Sequence, residues 1–139
     1  MDKSVWQGKT ILVVEDDKAL QDAIVMKLGR EGINTVTARS YNDAIAAINR
    51  AQTVDAIWLD HYLIGEQDGY AIVAEIKKNP KWNEIPVFLV SNTINPDKVK
   101  PYFDAGILKF YVKSDYWLEE ILTDIKQLWF DLAKLKENK

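Results

Sequence analysis

The sequence predicts a doubly wound α/β domain in which helices cover both faces of a five-stranded parallel sheet. Two observations predict it. Short apolar runs rich in β-branched residues recur along the chain, and a segment with helical spacing of apolar residues follows each run. Strict alternation of strand and helix favours a parallel sheet, because right-handed crossovers return each strand beside its neighbours. We therefore expect a (βα)5 fold with its functional site at the carboxyl ends of the strands.

The first strand and helix show the pattern clearly. The apolar run at 11–14 predicts a strand that is buried on both faces of the sheet. Asp17 is a suitable N-cap for the helix that follows. That helix has apolar residues at four-residue spacing, and glycines mark its end: Leu20, Ile24, Leu28, Gly29 and Gly32.

Four more strand and helix pairs follow in the same order. The strands are expected at 33–37, 56–59, 87–90 and 109–112. The helices are expected after a capping box at Ser40 and Asp43, at about 70–77, before Gly106, and from a cap at Ser114 or Asp115 to about Lys136. Because an interior proline costs a helix about 3 kcal/mol, we expect the fourth helix to be short, late-starting or kinked at Pro101.

Length and composition favour one ordinary globular domain. The chain has 139 residues, of which 47% are hydrophobic and 28% charged, so it can bury a proper core and does not resemble a disordered segment. We take residues 1–139 as a single domain.

Charge and cysteine content exclude several classes of function. The net charge of -3 gives no broad electrostatic reason to bind nucleic acid. The absence of cysteine removes disulfides and thiolate metal sites. Neither a secretion signal nor a membrane span is visible in the apolar runs. We expect a cytoplasmic protein that binds neither nucleic acid nor membrane.

Polar residues stand where the predicted strands end. Glu15 and Asp16 follow the first strand, Asp60 the third, Ser91 the fourth and Lys113 the fifth. Carboxylates that converge in a cleft repel each other unless a pKa rises or a cation neutralises them. Oxygen ligands without histidine or cysteine suit Mg²⁺ and disfavour zinc. The pattern therefore predicts a magnesium site.

The same residues suggest phosphoryl transfer. A carboxylate such as Asp60 can act as a nucleophile and form an aspartyl phosphate. Phosphoryl transfer depends on positioning and on neutralising charge, so Lys113 could pair with one phosphoryl oxygen while the Ser91 hydroxyl donates a hydrogen bond to another.

Four segments together resemble the receiver domain of two-component response regulators, the CheY-like family. They are Ile11-Leu-Val-Val-Glu-Asp-Asp17, Trp58-Leu-Asp60, Pro86-Val-Phe-Leu-Val-Ser91 and Tyr111-Val-Lys113. The resemblance covers a core of about 9–130, which leaves an extended C-terminal helix. It implies a flavodoxin-like sheet with strand order 2-1-3-4-5.

The resemblance also implies roles for individual residues. Asp60 would be the phospho-acceptor, and Mg²⁺ or Mn²⁺ would be held by Glu15, Asp16, Asp60 and the backbone carbonyl of Tyr62. The resemblance further implies that Ser91 and Phe110 form a switch pair. Phosphorylation would then repack the fourth helix, the fifth strand and the fifth helix. From packing alone, Phe110 could equally be a core residue.

The implied partners are proteins. A histidine kinase or histidine phosphotransfer protein would supply the phosphoryl group, and a downstream protein would read the phosphorylated state. The chain itself would not be an enzyme beyond self-phosphorylation from small phosphodonors and autodephosphorylation. A homodimer through the repacking face or the long last helix stays open, because the 129–135 end of that helix could extend past the sheet.

Two other functions stay open. A phosphorylation-independent pseudo-receiver is kept in view because Ser114 replaces the usual proline, where we expect a trans peptide, and because Asn92 and Pro101 also depart from the family pattern. An aspartyl-phosphate phosphatase is disfavoured because Tyr62, two residues after Asp60, is not an acid. His61 could be a phosphohistidine or a general base, but strand alternation favours a partly exposed residue pointing away from the side of Asp60.

Overall fold

All five strands of the sheet are parallel, and their order is β2-β1-β3-β4-β5. The computed structural model describes residues 2–92, 94–113, 116 and 118–138. The strands are β1 (Thr10–Val14), β2 (Asn34–Ala38), β3 (Ala56–Leu59), β4 (Val87–Ser91) and β5 (Lys109–Val112). The helices are α1 (Lys18–Arg30), α2 (Tyr41–Arg50), α3 (Gly69–Lys78), α4 (Pro96–Ala105) and α5 (Leu118–Glu137). The predicted doubly wound fold and its strand order are confirmed.

The central strands are buried on both faces, as their continuous apolar runs predict. Every residue of β3 and β4 is buried, and so are the last four residues of β1. Val14 at the end of β1 pairs with Leu59 at the end of β3, and Leu59 pairs with Leu89 of β4. This register brings the residues after β1 and β3 to the same edge as the last residues of β4.

Two apolar layers cover the sheet. The α2–α4 layer packs under three helices and contains Leu12, Val14, Ala44, Ile48, Leu59, Ile72, Ile76, Leu89 and Tyr102. The α1–α5 layer packs under the other two and contains Trp6, Ile11, Val13, Ile24, Leu28, Trp58, Tyr111, Ile125 and Trp129. Successive residues of β1 alternate between the two layers, because side chains of a strand point to opposite faces.

The caps predicted at Asp17 and Ser40 are present in the structure. The Asp17 carboxylate accepts a hydrogen bond from the backbone N–H of Leu20 at 3.1 Å, and the Ser40 hydroxyl oxygen accepts one from Asp43 at 3.1 Å. The helix α3 has a comparable cap at Asp68. Such caps satisfy backbone donors that the first turn leaves free, so they explain where these helices begin.

Helix α4 differs from the prediction. It runs for 10 residues through Pro101, as long as α2 and α3. A short or late-starting helix is therefore wrong, while the kink stays a prediction. Asn95 caps the helix and Pro96 occupies its first turn, where a missing N–H costs nothing. Pro101 has no N–H and so cannot donate the helical hydrogen bond at its position.

The two ends of the chain add details that the sequence did not reveal. A 3-10 helix, η1 (Lys3–Val5), precedes β1, and Trp6 after it is buried in the α1–α5 layer. In α5, Trp129 is buried whereas Leu135 is 61% exposed, so the helix leaves the core between them. The predicted cap at Ser114 or Asp115 and the peptide bond before Ser114 lie outside the described residues. Among the residues that the structure describes, no helix is long and apolar enough to cross a membrane.

Candidate functional site

Asp60 lies at the carboxyl edge of the sheet, directly after β3, and is buried. Its carboxylate accepts three hydrogen bonds. The Ser91 hydroxyl donates to Oδ1 at 2.7 Å, the Lys113 ammonium donates to Oδ2 at 2.9 Å, and the Tyr62 backbone N–H donates to Oδ1 at 3.3 Å. The residues that end β3, β4 and β5 in sequence therefore meet on one carboxylate.

The two acids after β1 face the same point. One carboxylate oxygen from each of Glu15, Asp16 and Asp60 lies within 4.8 Å of the others. Glu15 is buried, and its Oε1 lies 2.5 Å from Nζ of Lys113. Lys113 is thus shared between Glu15 and Asp60. The structure brings together all five polar residues singled out at the strand ends.

Burial and mutual repulsion shape the electrostatics of this cluster. Burial, with a smaller contribution from the negative charge of Asp60, raises the pKa of Glu15 to about 7 although the hydrogen bond from Lys113 opposes the rise. Burial alone would lower the pKa of Lys113, but hydrogen bonds to Glu15 and Asp60 outweigh it and the pKa is raised. The ammonium therefore stays charged and only partly neutralises the acids.

The acidic cluster has the charge and the ligand atoms that suit a divalent metal ion. Three carboxylates against one ammonium leave an excess of negative charge, which a divalent cation would remove. All the clustered side-chain ligands are oxygens, which suits hard cations such as Mg²⁺ and does not suit zinc. The residues present therefore fit Mg²⁺ or Mn²⁺.

Two side chains that the sequence analysis missed hold the backbone of the acidic segment. Gln21, buried in α1, donates from Nε2 to the carbonyl oxygens of Ala38 at 2.9 Å and Glu15 at 3.4 Å. Arg39 donates from Nε and Nη2 to the carbonyl oxygen of Asp16 at 3.3 and 2.9 Å. A glutamine three residues before Ile24 on the apolar side of α1 was the available signal for Gln21; no sequence pattern pointed to Arg39.

The loop after Asp60 is anchored at both ends. Ser40 and Ile64 form an isolated parallel bridge, and the Ile64 N–H donates to the Arg39 carbonyl at 3.3 Å. At the far end, the Gly69 N–H donates to the His61 carbonyl at 2.9 Å. A Cβ at Gly69 would collide with the Asp60 carbonyl oxygen, so only glycine fits there.

His61 corrects one expectation. It is buried, 4% exposed, and not the partly exposed residue that strand alternation favoured. Its Nδ1 lies 2.5 Å from the Tyr102 hydroxyl oxygen. The expected exposure was wrong because His61 is already beyond β3, in a loop that α3 and α4 cover.

The remaining predicted site residues are positioned as follows. Phe110 is half-buried and packs against the α2–α4 layer. The Tyr62 side chain is 45% exposed, while its backbone N–H contacts Asp60. A switch role for Phe110 and a ligand role for the Tyr62 carbonyl stay predictions.

The chain matches a family model and several known proteins. The family model for the response regulator receiver domain matches residues 11–126. A two-component response regulator of Oryza sativa subsp. japonica, ORR13, is 28% identical over 103 residues, which are 74% of this chain and 84% of that protein.

Solved structures agree with this result. The phosphorylated cyanobacterial phytochrome response regulator RcpA superposes with a TM-score of 0.71 at 30% identity, covering 86% of this chain and 90% of that one. The receiver domain of a histidine kinase from Syntrophus aciditrophicus gives 0.79 at 25% identity, covering 89% and 92%. The Mn²⁺-bound response regulator Rcp1 gives 0.68 at 27%, covering 87% and 88%. The chain therefore belongs to the response regulator receiver domain family.

Proposed function

We propose that this protein is a phospho-accepting receiver of a two-component or phosphorelay system and that Asp60 is its acceptor. One observation carries the proposal. The buried Asp60 carboxylate accepts hydrogen bonds from the Ser91 hydroxyl and the Lys113 ammonium, and two further acids lie beside it. A carboxylate that only stabilised the fold would not need a second and third acid at this distance, because their repulsion is costly.

The chemistry is a phosphoryl transfer. An Asp60 carboxylate oxygen attacks the phosphorus of a phosphohistidine on a partner protein; the P–N bond breaks, and the imidazole leaves with its electron pair and takes up a proton. With a small donor such as acetyl phosphate, the P–O bond breaks and acetate leaves. Lys113 and Ser91 would contact the oxygens of the transferred group and offset the charge on it.

The metal site belongs to the same proposal. Glu15, Asp16, Asp60 and the Tyr62 backbone carbonyl would hold Mg²⁺ or Mn²⁺. When bound, the cation neutralises charge on the carboxylates and on the incoming phosphoryl oxygens. The oxygen-only ligand set supports this assignment, and so does the Mn²⁺-bound state of a similar structure.

Phosphorylation would bias two arrangements of the α4, β5 and α5 surface. Ser91 now donates to Asp60, and a phosphoryl group there would offer it a new acceptor. Movement of the Ser91 side chain would free space for the half-buried Phe110 ring to turn inward. A ligand shifts such an equilibrium only through contacts that differ between the two states, and Ser91 and Lys113 supply them.

Partners follow from the same chemistry. A histidine kinase or histidine phosphotransfer protein would donate the phosphoryl group in the cytoplasm, and a downstream protein would bind the phosphorylated surface. A homodimer through that surface or through the exposed end of α5 is a further proposal. The protein would not turn over a separate substrate, apart from reacting with small phosphodonors and hydrolysing its own phosphate.

Intact-mass spectrometry after incubation with Mg²⁺ and acetyl phosphate tests the proposal. We expect a gain of one phosphoryl group, about 80 Da, because the activated carboxylate forms an acyl phosphate. Asp60→Asn should abolish the gain. Asp55→Asn is the matched control, since Asp55 precedes β3 as Asp60 follows it and accepts a hydrogen bond from Thr10 at 2.8 Å.

The control separates chemistry from folding. Asp55→Asn should keep the mass gain even if it lowers stability. A folded wild-type protein that gains no mass in the presence of Mg²⁺ would contradict the proposal. That result would favour a phosphorylation-independent binding module.

A further inference from the structure

His61 and Tyr102 form a buried polar pair next to the acceptor. Tyr102 belongs to α4 and is fully buried, and His61 directly follows Asp60. Their side chains meet at 2.5 Å between the hydroxyl oxygen and Nδ1. Neither side chain takes part in the phosphoryl transfer described above, so the reason for burying two polar groups here must lie elsewhere.

The direction of this hydrogen bond follows from its surroundings. Burial lowers the pKa of His61 and so favours the neutral ring, in which one nitrogen can accept a hydrogen bond. Burial raises the pKa of Tyr102, so its hydroxyl keeps its proton and can donate. Because Nε2 faces the Asp68 carboxylate at 3.9 Å, the proton of the ring is best placed there. This arrangement favours a hydrogen bond in which the Tyr102 hydroxyl donates to Nδ1 of His61.

The pair has no room to move independently of the acceptor. Gly69 at the start of α3 lies so close that an added Cβ would collide with the Asp60 carbonyl oxygen and lie 2.9 Å from the Tyr102 hydroxyl oxygen. The rings of Tyr102 and of Tyr70 in α3 also pack in a T-shaped arrangement, with 5.6 Å between their centroids. Tightly packed interiors transmit displacement, so a shift of residues 60–61 should also displace Tyr102.

The pair also includes the residue that buries α4 against the sheet. Tyr102 is the one buried residue of this helix, whereas the neighbouring Phe103 is 48% exposed. The Tyr102 backbone carbonyl accepts a hydrogen bond from the Ile107 N–H, between the end of α4 and the start of β5. The position of Tyr102 therefore sets how α4 lies on the sheet.

We propose that His61 and Tyr102 are positioning residues that make the placement of α4 depend on the state of Asp60, by a route separate from Ser91 and Phe110. This inference rests on the proposed function, because it needs Asp60 to change state. The element that would respond is α4, which carries an exposed surface. The pair would carry no part of the phosphoryl transfer itself.

Tyr102→Phe is the test variant because it removes only the hydroxyl. Tyr111→Phe is the matched control: Tyr111 is equally buried, lies in the α1–α5 layer, and donates its hydroxyl to Asp124 at 2.6 Å. Each protein is incubated with Mg²⁺, with or without acetyl phosphate. Intact mass gives the phosphorylated fraction, and hydrogen-exchange mass spectrometry follows the amides of α4.

We expect all three proteins to be phosphorylated to the same extent. Phosphorylation should change exchange in α4 of the wild type and of Tyr111→Phe. In Tyr102→Phe the change should fall about five-fold, the factor that corresponds to losing one ordinary hydrogen bond. This readout compares two states of one protein, so general loss of stability does not mimic it.

A double-mutant cycle checks that the two side chains act together. His61→Leu should reduce the α4 response as Tyr102→Phe does, and the double variant should show no further reduction, because groups that act as a unit are non-additive. An unchanged α4 response in phosphorylated Tyr102→Phe, or an equal loss in Tyr111→Phe, would overturn the inference. Absence of any mass gain in the wild type would instead refute the proposed function, and the coupling with it.

Discussion

Helices α4 and α5 are tied to opposite ends of the same strand. The Tyr102 hydroxyl of α4 is hydrogen-bonded to Nδ1 of His61, one residue after Asp60 at the carboxyl end of β3. Trp129 of α5 donates from Nε1 to the carbonyl oxygen of Asp55 at 3.2 Å, just before β3 begins. One anchor therefore lies beside Asp60, whereas the other lies at the far edge of the sheet. Helix α4 is thus attached next to the candidate site, whereas α5 is attached to the core away from it.

The largest effect should come from removing the anchor of α5. Trp129→Ala should lower the free energy of unfolding by about 3–5 kcal/mol, because it leaves a cavity in the α1–α5 layer and removes a hydrogen bond. Leu135→Ala, two turns nearer the C-terminus and exposed, should change it by less than about 0.5 kcal/mol. Urea unfolding followed by circular dichroism measures both. Similar values for the two variants would contradict a boundary between core and overhang in α5.

A smaller change in the free energy of unfolding should distinguish alanine substitutions at two helical glycines, Gly69 and Gly29. Gly69→Ala should lower the free energy of unfolding by about 1–3 kcal/mol, since the added methyl group collides with the Asp60 backbone and crowds Tyr102. It should also slow phosphorylation by acetyl phosphate.

Gly29→Ala in α1 is the control for the preceding change. Nothing lies within 4 Å of its added Cβ, and alanine favours a helix, so the same free energy should rise by about 0.5–1 kcal/mol. Thermal unfolding and the mass-based phosphorylation assay report both quantities. An unaffected phosphorylation rate in a folded Gly69→Ala protein would show that the acceptor tolerates displacement of α3.

The smallest effect concerns how the N-terminus is fixed to α5. Nζ of Lys126 lies 4.2 Å from the ring centroid of Trp6 and 3.1 Å from a carboxylate oxygen of Glu31. Lys126→Gln should lower the free energy of unfolding by about 1 kcal/mol, because its partly buried ammonium makes both contacts. Lys100→Gln breaks an exposed pair with Asp104 and should change it by less than about 0.5 kcal/mol. Denaturant titration at low and high salt compares them, and a larger loss in the second variant would contradict this assignment.

Local chemistry was sufficient for much of the fold. The apolar runs of β3 and β5 had the bounds that the structure shows, and the caps at Asp17 and Ser40 worked as expected, because caps and buried strands depend on neighbouring residues. Alternation of strand and helix was enough for the parallel sheet, since it constrains the handedness of each crossover. The same rule identified the edge where the polar residues meet.

Other features depended on residues far apart in sequence. Pro101 sits in a full-length helix because Tyr102 next to it is buried against the sheet, which outweighs one lost hydrogen bond. His61 is buried because α3 and α4 close over the loop after Asp60.

By itself, the sequence determined which residues would line the carboxyl edge, because strand ends and caps are local. Only the tertiary structure decided which backbone carbonyl groups accept hydrogen bonds from Gln21 and Arg39. It also decided that the residue after Asp60 contacts helix α4. Those contacts join residues between 17 and 41 positions apart, and no local pattern of polarity specifies such a pairing. The residues of the site could therefore be predicted from the sequence, whereas their contacts with the rest of the molecule required the three-dimensional structure.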